Sequence, residues 1–334
     1  MTVISLFGDH PLASQFEALH PEDILDAVEN SERRCTGRFL VLNSYENRVY
    51  QLELEDESYI VGKFYRPGRW SPEAILDEHR FIDELAELEI PVAAPMTLAN
   101  NSTVSSVKEI LFSIFPRIGG RNPEEFDDDQ LRILGRLLGR IHNVGARATA
   151  KHRPILSPTT YGASNLESLE KTGLLHPDAA QGYLQTAEQL FTLISPLFED
   201  IDLIRIHGDC HRGNLLWTPQ GFTFLDFDDM LNGPAVQDLW MMLPSYDEEG
   251  QRGRRVMLEG YEEFRVFNQQ ELKLIEPLRA LRYIHYATWI ARRWHDGLFK
   301  RTFSHFGTLQ YWQRETQDLR EQIARIQMSL QPYY

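Results

Sequence analysis

Ile206-His207-Gly208-Asp209-Cys210-His211-Arg212-Gly213-Asn214-Leu215-Leu216-Trp217 is the stretch on which the reading of this chain turns. Asp209 and Asn214 stand five residues apart between the apolar segments Leu203-Ile204-Ile206 and Leu215-Leu216-Trp217. That pattern predicts two short strands pinning a loop that carries one carboxylate and one carboxamide. Gly221 then precedes the β-type run Phe222-Thr223-Phe224-Leu225, which delivers Asp226 at its end. Three oxygen-bearing side chains are thereby expected to converge from one small hairpin. Hard oxygen ligands suit Mg²⁺, which takes only one or two protein carboxylates and completes its shell with waters and substrate phosphates. The expected chemistry is therefore that of a phosphate-bearing substrate.

Working outward, the bulk properties restrict the setting. A length of 334 residues fits one large domain or two lobes, with enough apolar content for real cores. No run approaches the roughly 20 apolar residues of a membrane helix, and Met1 to Pro11 lacks a basic region followed by an apolar one, so the expectation is a cytoplasmic protein without a membrane partner. Cys35 and Cys210 are the only cysteines, which argues against a disulfide framework. A net charge of −15 disfavours nonspecific nucleic-acid binding and favours a cationic substrate or a basic protein segment. The longest acidic run, Asp127-Asp128-Asp129, reads as a solvated helix start.

Upstream, His20 to Asn30 predicts a short helix with Pro21 at its start and Ile24, Leu25 and Val28 on one side. From Gly37 the period changes to that of strands: F-L-V-L, V-Y-Q-L-E-L, then Y-I-V-G-K-F-Y. Between the first two, Asn43-Ser44-Tyr45-Glu46-Asn47 forms a tight turn, read either as a plain hairpin or as one offering Ser44 to a phosphate oxygen. Lys63 sits mid-strand, where an exposed-face lysine is the ordinary reading. The helix that follows changes this. Ser71-Pro72-Glu73 is an N-cap and first-turn signature, and Ile75, Glu78, Ile82 and Leu85 fall on one face. A carboxylate interrupting an apolar stripe requires a cation, and Lys63 is the candidate.

Glu109 to Phe115 reads as the last strand of the first lobe, and Pro116-Arg117-Ile118-Gly119-Gly120 as a hinge against which an adenine would lie. From Leu131 the period is helical, with Gly135 and Gly139 permitting close helix packing and His142 read as a core or capping residue rather than a base. Pro154 to Leu175 is expected to be irregular and polar, and Asp178 to Leu197 helical. The C-terminal third is expected to be helical. Its Tyr283, Tyr286, Trp289 and Trp294 read as core more readily than as a cage for an organic cation. A zinc site at His207, Cys210 and His211 lacks the further ligands such a site takes.

The order H-G-D-x-H-x-x-N followed by L-D-F resembles the catalytic core of protein-kinase-like phosphotransferases, in their aminoglycoside phosphotransferase and choline kinase branch. With L-N-S-Y-E-N-R-V-Y at Leu42 to Tyr50, V-G-K-F-Y-R-P at Val61 to Pro67 and N-G-P-A-V-Q-D-L-W at Asn232 to Trp240, the whole chain is similar to the bacterial stress response kinase A (YihE-like) family. The resemblance implies an α+β, bilobal protein-kinase-like fold: an N-terminal antiparallel sheet lobe over residues 1–116, which binds nucleotide, and a larger, mainly helical lobe over 117–334. It implies a monomeric ATP-dependent kinase acting on serine or threonine of proteins, with a small hydroxylated molecule as the alternative acceptor and a non-catalytic nucleotide-binding regulator as the second alternative.

By the same resemblance Asp209 is the catalytic base, Asn214 and Asp226 ligate Mg²⁺, and Ser44, Lys63 and Glu78 serve ATP, Lys63 and Glu78 as an ion pair. Asp228 and Asp229 are extra carboxylates that cap the loop or face a second metal, and Asp238 caps backbone N–H groups. Three features depart from ordinary protein kinases. The turn at 43–47 has no glycine, Gly208 replaces the arginine of H-R-D, and only eleven residues separate Asp226 from Asp238, too few for a long activation segment.

Overall fold

The structure is a computed structural model that describes Phe16 and residues 19–330. The expectation placed on Met1 to Pro11 lies outside the described residues. In chain order the elements are α1 (Pro21–Glu29), β1 (Cys35–Leu42), β2 (Arg48–Leu54), β3 (Tyr59–Phe64), α2 (Pro72–Glu87), β4 (Ser105–Val107), β5 (Ile110–Pro116), α3 (Asp128–Gly145), α4 (Ser164–Lys171), α5 (Pro177–Ile194), β6 (Ile204–Ile206), β7 (Leu215–Thr218), β8 (Gly221–Phe224), β9 (Leu231–Gly233), α6 (Val236–Met242), α7 (Glu248–Glu262), α8 (Ile275–Arg292), α9 (Gly297–Thr302) and α10 (Leu309–Ser329). No helix among the described residues is long and apolar enough to cross a membrane.

The chain divides into two compact units, residues 1–154 with 205–231 and 241–266, and residues 155–204 with 232–240 and 267–334. The first unit is built on a five-stranded antiparallel sheet of order β1-β2-β3-β5-β4. Alternation sets its inner face: Leu52, Ile60, Phe64, Phe112 and Ile114 are buried against Ile24, Ala27 and Val28 of α1. The edge strand β4 was not legible in the sequence, being three residues long. β5 is the strand expected at 109–115, and 116–120 lies within this unit.

α2 begins where Ser71 Oγ accepts the Ala74 N–H at 3.2 Å and Pro72 needs no partner for a missing donor. Ile75, Glu78, Ile82 and Leu85 are all buried, as one helical face requires. α3 opens on a capping box, Asp127 with Gln130, so the acidic run is a helix start. A Cβ at Gly135 would collide with the Met257 carbonyl, and one at Gly139 would lie 2.7 Å from the Tyr261 carbonyl, so both glycines serve close packing of α3 on α7.

The second unit is helical, with a core of Leu166, Leu169, Tyr183, Leu190, Leu281, Ile284, Phe299, Phe306, Trp312 and Leu319. Here one expectation is corrected. Within 154–175 the chain is not irregular: a wide helical turn at Pro158–Ala163 runs into α4. Ser157 caps the turn by accepting the Thr160 N–H at 3.2 Å, and burial of Leu166 and Leu169 overrides the polar composition.

Candidate active site

All of Ser44, Lys63, Glu78, Asp209, Asn214 and Asp226 belong to the first compact unit. β7 and β8 form an antiparallel hairpin in the register Leu215↔Phe224 to Thr218↔Gly221, and β8 is tied to the segment after α2 by Phe224 N–H donating to the Pro91 carbonyl at 2.9 Å. The loop before β7 is held as firmly. His207 is buried and its Nε2 bonds the Leu225 carbonyl at 2.9 Å. Gly208 has φ +85°, and a Cβ there would run into the Asp229 carbonyl, so the residue read as a missing arginine is a glycine that the backbone requires.

Three of the expected site residues share one frame. Asn214 Nδ2 donates to the Asp209 carbonyl at 3.0 Å, and the Leu225 N–H donates to the Asn214 carbonyl at 2.9 Å, one residue before Asp226. The Asp209 carboxylate stands 3.3 Å from His211 Nε2 and keeps 24 % of its side chain exposed. Asp226 adopts φ 57°, ψ 67°, left-handed backbone for a residue with a Cβ, and over half of its side chain is exposed. Strain of that kind persists where neighbours over-determine it, and it aims this carboxylate outward from the end of β8.

Lys63, mid-β3, is buried, which overturns the exposed-face reading. Its Nζ lies 2.8 Å from Asp226 Oδ1, 3.1 Å from Asp228 Oδ1 and 4.0 Å from Glu78 Oε1. Burial works against the ammonium, but the carboxylates of Asp226, Asp228 and Glu78 outweigh it and hold Lys63 well above the ordinary lysine range. The pair with Glu78 is thus the longest of its three. Glu78 has a closer partner that the sequence did not reveal: Arg153 Nη2 at 2.6 Å. Burial still pushes the Glu78 carboxyl up, against the pull of Lys63 and Arg153.

Asp228 and Asp229 prove to be ion-pair partners. Arg69 donates one guanidinium nitrogen to Asp228 Oδ2 and the other to Asp229 Oδ1, the latter at 2.5 Å. Asn47 Nδ2 also donates to Asp228, at 3.2 Å. Burial raises the Asp228 carboxyl, but Arg69, Lys63 and Arg153 outweigh that and hold it well below the usual carboxylate range. The turn at 43–47 is stiffened without glycine. Ser44 Oγ accepts the Asn47 N–H at 3.1 Å, and Arg66 donates to the carbonyls of Tyr45 and Glu46, each at 3.0 Å.

Arg69 and Arg153 were missed because nothing local marks them. The available signal was indirect: Asp226, Asp228 and Asp229 crowd one short loop, and a crowd of carboxylates calls for several cations. The remaining candidates resolve simply. His142 is buried with Nδ1 3.0 Å from the Tyr261 hydroxyl. Tyr283, Trp289 and Trp294 pack against the second unit's core, while Tyr286 stacks on Trp289 at 5.6 Å and stays half exposed. Asp238 is fully buried in the first turn of α6. His211 Nδ1 accepts the Gly213 N–H at 2.9 Å.

A sheet carrying a buried lysine, a helix carrying its buried glutamate, and a hairpin fixing an Asp, an Asn and a strand-end Asp define a phosphotransferase with a kinase-like fold. Residues 39–275 match the phosphotransferase enzyme family, and the chain belongs to that family, within its stress response kinase A group. It is 40% identical over 326 residues to stress response kinase A of Escherichia coli K12, covering 96% of this chain and 99% of the relative. At 39% identity and the same coverage it matches the serine/threonine protein kinase RdoA of Salmonella typhimurium. Among solved structures it shares the fold of amicoumacin kinase hAmiN in complex with AMP-PNP, Ca²⁺ and Ami, with TM-score 0.73, 20% identity, and 91% and 96% of the two chains covered.

Proposed function

We propose that this kinase transfers the γ-phosphoryl group of Mg-ATP to a serine or threonine hydroxyl of a protein. The acceptor hydroxyl gives its proton to the Asp209 carboxylate as its oxygen bonds to the γ-phosphorus. The bond from that phosphorus to the bridging oxygen breaks, and ADP leaves. Lys63 meets the phosphates, Glu78 holds the lysine's surroundings, and Ser44 borders the nucleotide from the 43–47 turn. Asn214 and Asp226 would hold Mg²⁺, which supplies charge neutralisation at the phosphate oxygens.

The donor set fits that ion. Asp226 is outward-facing, and Asn214 spends its Nδ2 on the Asp209 carbonyl while its Oδ1 accepts no hydrogen bond among the described residues. No three His, Cys, Asp or Glu side chains among the described residues are placed to hold a metal by themselves.

The observation that carries the reading is the common frame of Asp209, Asn214 and Asp226, with the Lys63 ammonium 2.8 Å from Asp226. We further assign nucleotide binding to residues 1–116 and the catalytic loop and acceptor to 117–334, in a monomeric cytoplasmic protein. A small hydroxylated acceptor uses the same chemistry and is the alternative; a regulator without catalysis does not account for Lys63, Glu78, Asp209, Asn214 and Asp226 standing together.

The test is transfer from γ-labelled ATP in a cell lysate, with protein and small-molecule label separated. Wild type is expected to label protein, and Asp209→Asn to lose roughly 10²- to 10⁴-fold in rate with Mg-ATP affinity within about threefold. Full activity of Asp209→Asn overturns its role as base. Label confined to small molecules moves the acceptor to the alternative.

A further inference from the structure

We propose that Arg153 is a positioning residue for phosphoryl transfer, the pin through which Glu78 acts on the loop that bears Asp226. The inference deepens the ATP-dependent reading and rests on it. Arg153 lies far from the site in sequence, yet its guanidinium reaches three separate places within the first unit. Nε donates to the Ala74 carbonyl in the first turn of α2 at 2.7 Å. Nη2 donates to Glu78 Oε2, one turn on, at 2.6 Å. Nη1 donates to the Asp228 carbonyl at 2.6 Å, two residues past Asp226. The Trp70 ring covers it, 4.2 Å from the guanidinium carbon. The Arg153 side chain is 0% exposed and that of Glu78 1%, so the pair is dry.

This geometry divides the labour among the cations. A dry carboxylate must be neutralised, and a charge-assisted bond at 2.6 Å does so far better than an ammonium at 4.0 Å. With Glu78 satisfied by Arg153, Lys63 is left to lean toward Asp226 and Asp228, the side of the site where phosphates would arrive. Take Arg153 away and Glu78, dry and charged, is left with Lys63 at 4.0 Å as its cation, so the ammonium is drawn back from the phosphate side. At the same time the Asp228 carbonyl loses its tie to α2, and Asp226 with it. The planar fork is what spans helix and loop at once, so lysine is not an equivalent replacement.

The inference predicts rescue rather than simple loss. In the purified full chain, Arg153→Met is expected to weaken Mg-ATP binding, measured by calorimetry, and to raise the KM for ATP, each about tenfold, with kcat reduced less. Adding Glu78→Gln to Arg153→Met removes the uncompensated charge, and affinity is expected to return to within about threefold of Glu78→Gln alone. A role limited to stability would appear in the melting temperature and would leave no such recovery. If Arg153→Met does not fold, Arg153→Lys, which keeps the buried cation, is expected to show a roughly three- to tenfold loss of affinity. Wild-type affinity in Arg153→Met or Arg153→Lys, or a double variant more than about threefold weaker than Glu78→Gln alone, overturns the inference. Absence of Mg-ATP binding by the wild type fails the underlying reading instead, so the two failures are distinct.

Discussion

The two compact units bury opposite materials. Around Lys63 the first unit encloses charge: Arg69, Arg153, Glu78 and Asp228 join the lysine at distances of hydrogen bonds and ion pairs. Around Trp312 the second unit encloses rings and aliphatic chains, with Tyr183 5.0 Å and Phe306 5.5 Å from the indole. Buried ion clusters at best roughly break even against an apolar core of similar volume, because desolvation offsets the attraction. Apolar burial, by contrast, stabilises with each area removed from water. The difference teaches where to look for each property: the first cluster fixes positions, and the second holds its unit folded.

The comparison is most exposed at Trp312. Its ring is fully buried and its Nε1 donates to the Leu174 carbonyl at 2.9 Å. Trp312→Ala is expected to cost roughly 3–5 kcal/mol, read from urea unfolding, with Mg-ATP affinity unchanged well below the melting temperature. A cost under about 1 kcal/mol would mean that the stability of the second unit does not reside in its aromatic core. A smaller effect, sharpening the positional side, is expected at Gly208. Its φ of +85° and the Asp229 carbonyl facing it leave no place for a methyl group. Gly208→Ala should cost about 1–3 kcal/mol and should lower the transfer rate by more than the lost folded fraction accounts for. Equal losses in rate and folded fraction would assign this glycine to folding alone.

How much of this was legible depended on whether the determining contact is local. α2 and the buried face with Glu78 could be read because cap, proline and 3.6-residue period all act within one segment. The frame of Asp209, Asn214 and Asp226 could be read because strand signals flank each residue. The closer partner of Glu78 could not. Arg153 is 75 residues away, and only the tertiary path of the chain after α3 selects it over Lys63. α4 was hidden for a related reason: its sequence, S-N-L-E-S-L-E-K, has two apolar residues, and their burial against α8 and its neighbours decides the outcome.

The smallest effects contrast the units through pH. In the first, burial, then Lys63 and Arg153, hold His79 down to about 3 from 6.5, its ring set between Tyr65 Oη at 3.1 Å and Thr103 Oγ1 at 2.6 Å. In the second, burial pushes the Glu315 carboxyl up from 4.5 to about 7, against the lowering pull of Tyr311 and Arg314. Folded His79 refuses a proton that the unfolded chain takes below 6.5, so its contribution is complete above that pH. It drains as pH falls, by about 1.4 kcal/mol per unit. Folded Glu315 keeps a proton that the unfolded chain releases, so its contribution is complete below 4.5 and is lost as pH rises through about 7. Urea unfolding should therefore show His79→Gln gaining about 2 kcal/mol relative to wild type between pH 7 and 5. Glu315→Gln should gain about 1–2 kcal/mol between pH 5 and 8, discounted for the part of that carboxylate water reaches. Opposite signs are the decisive feature. Should both variants shift in the same direction, His79 would not be held neutral by burial beside Lys63 and Arg153, and the contrast between the two units would fail.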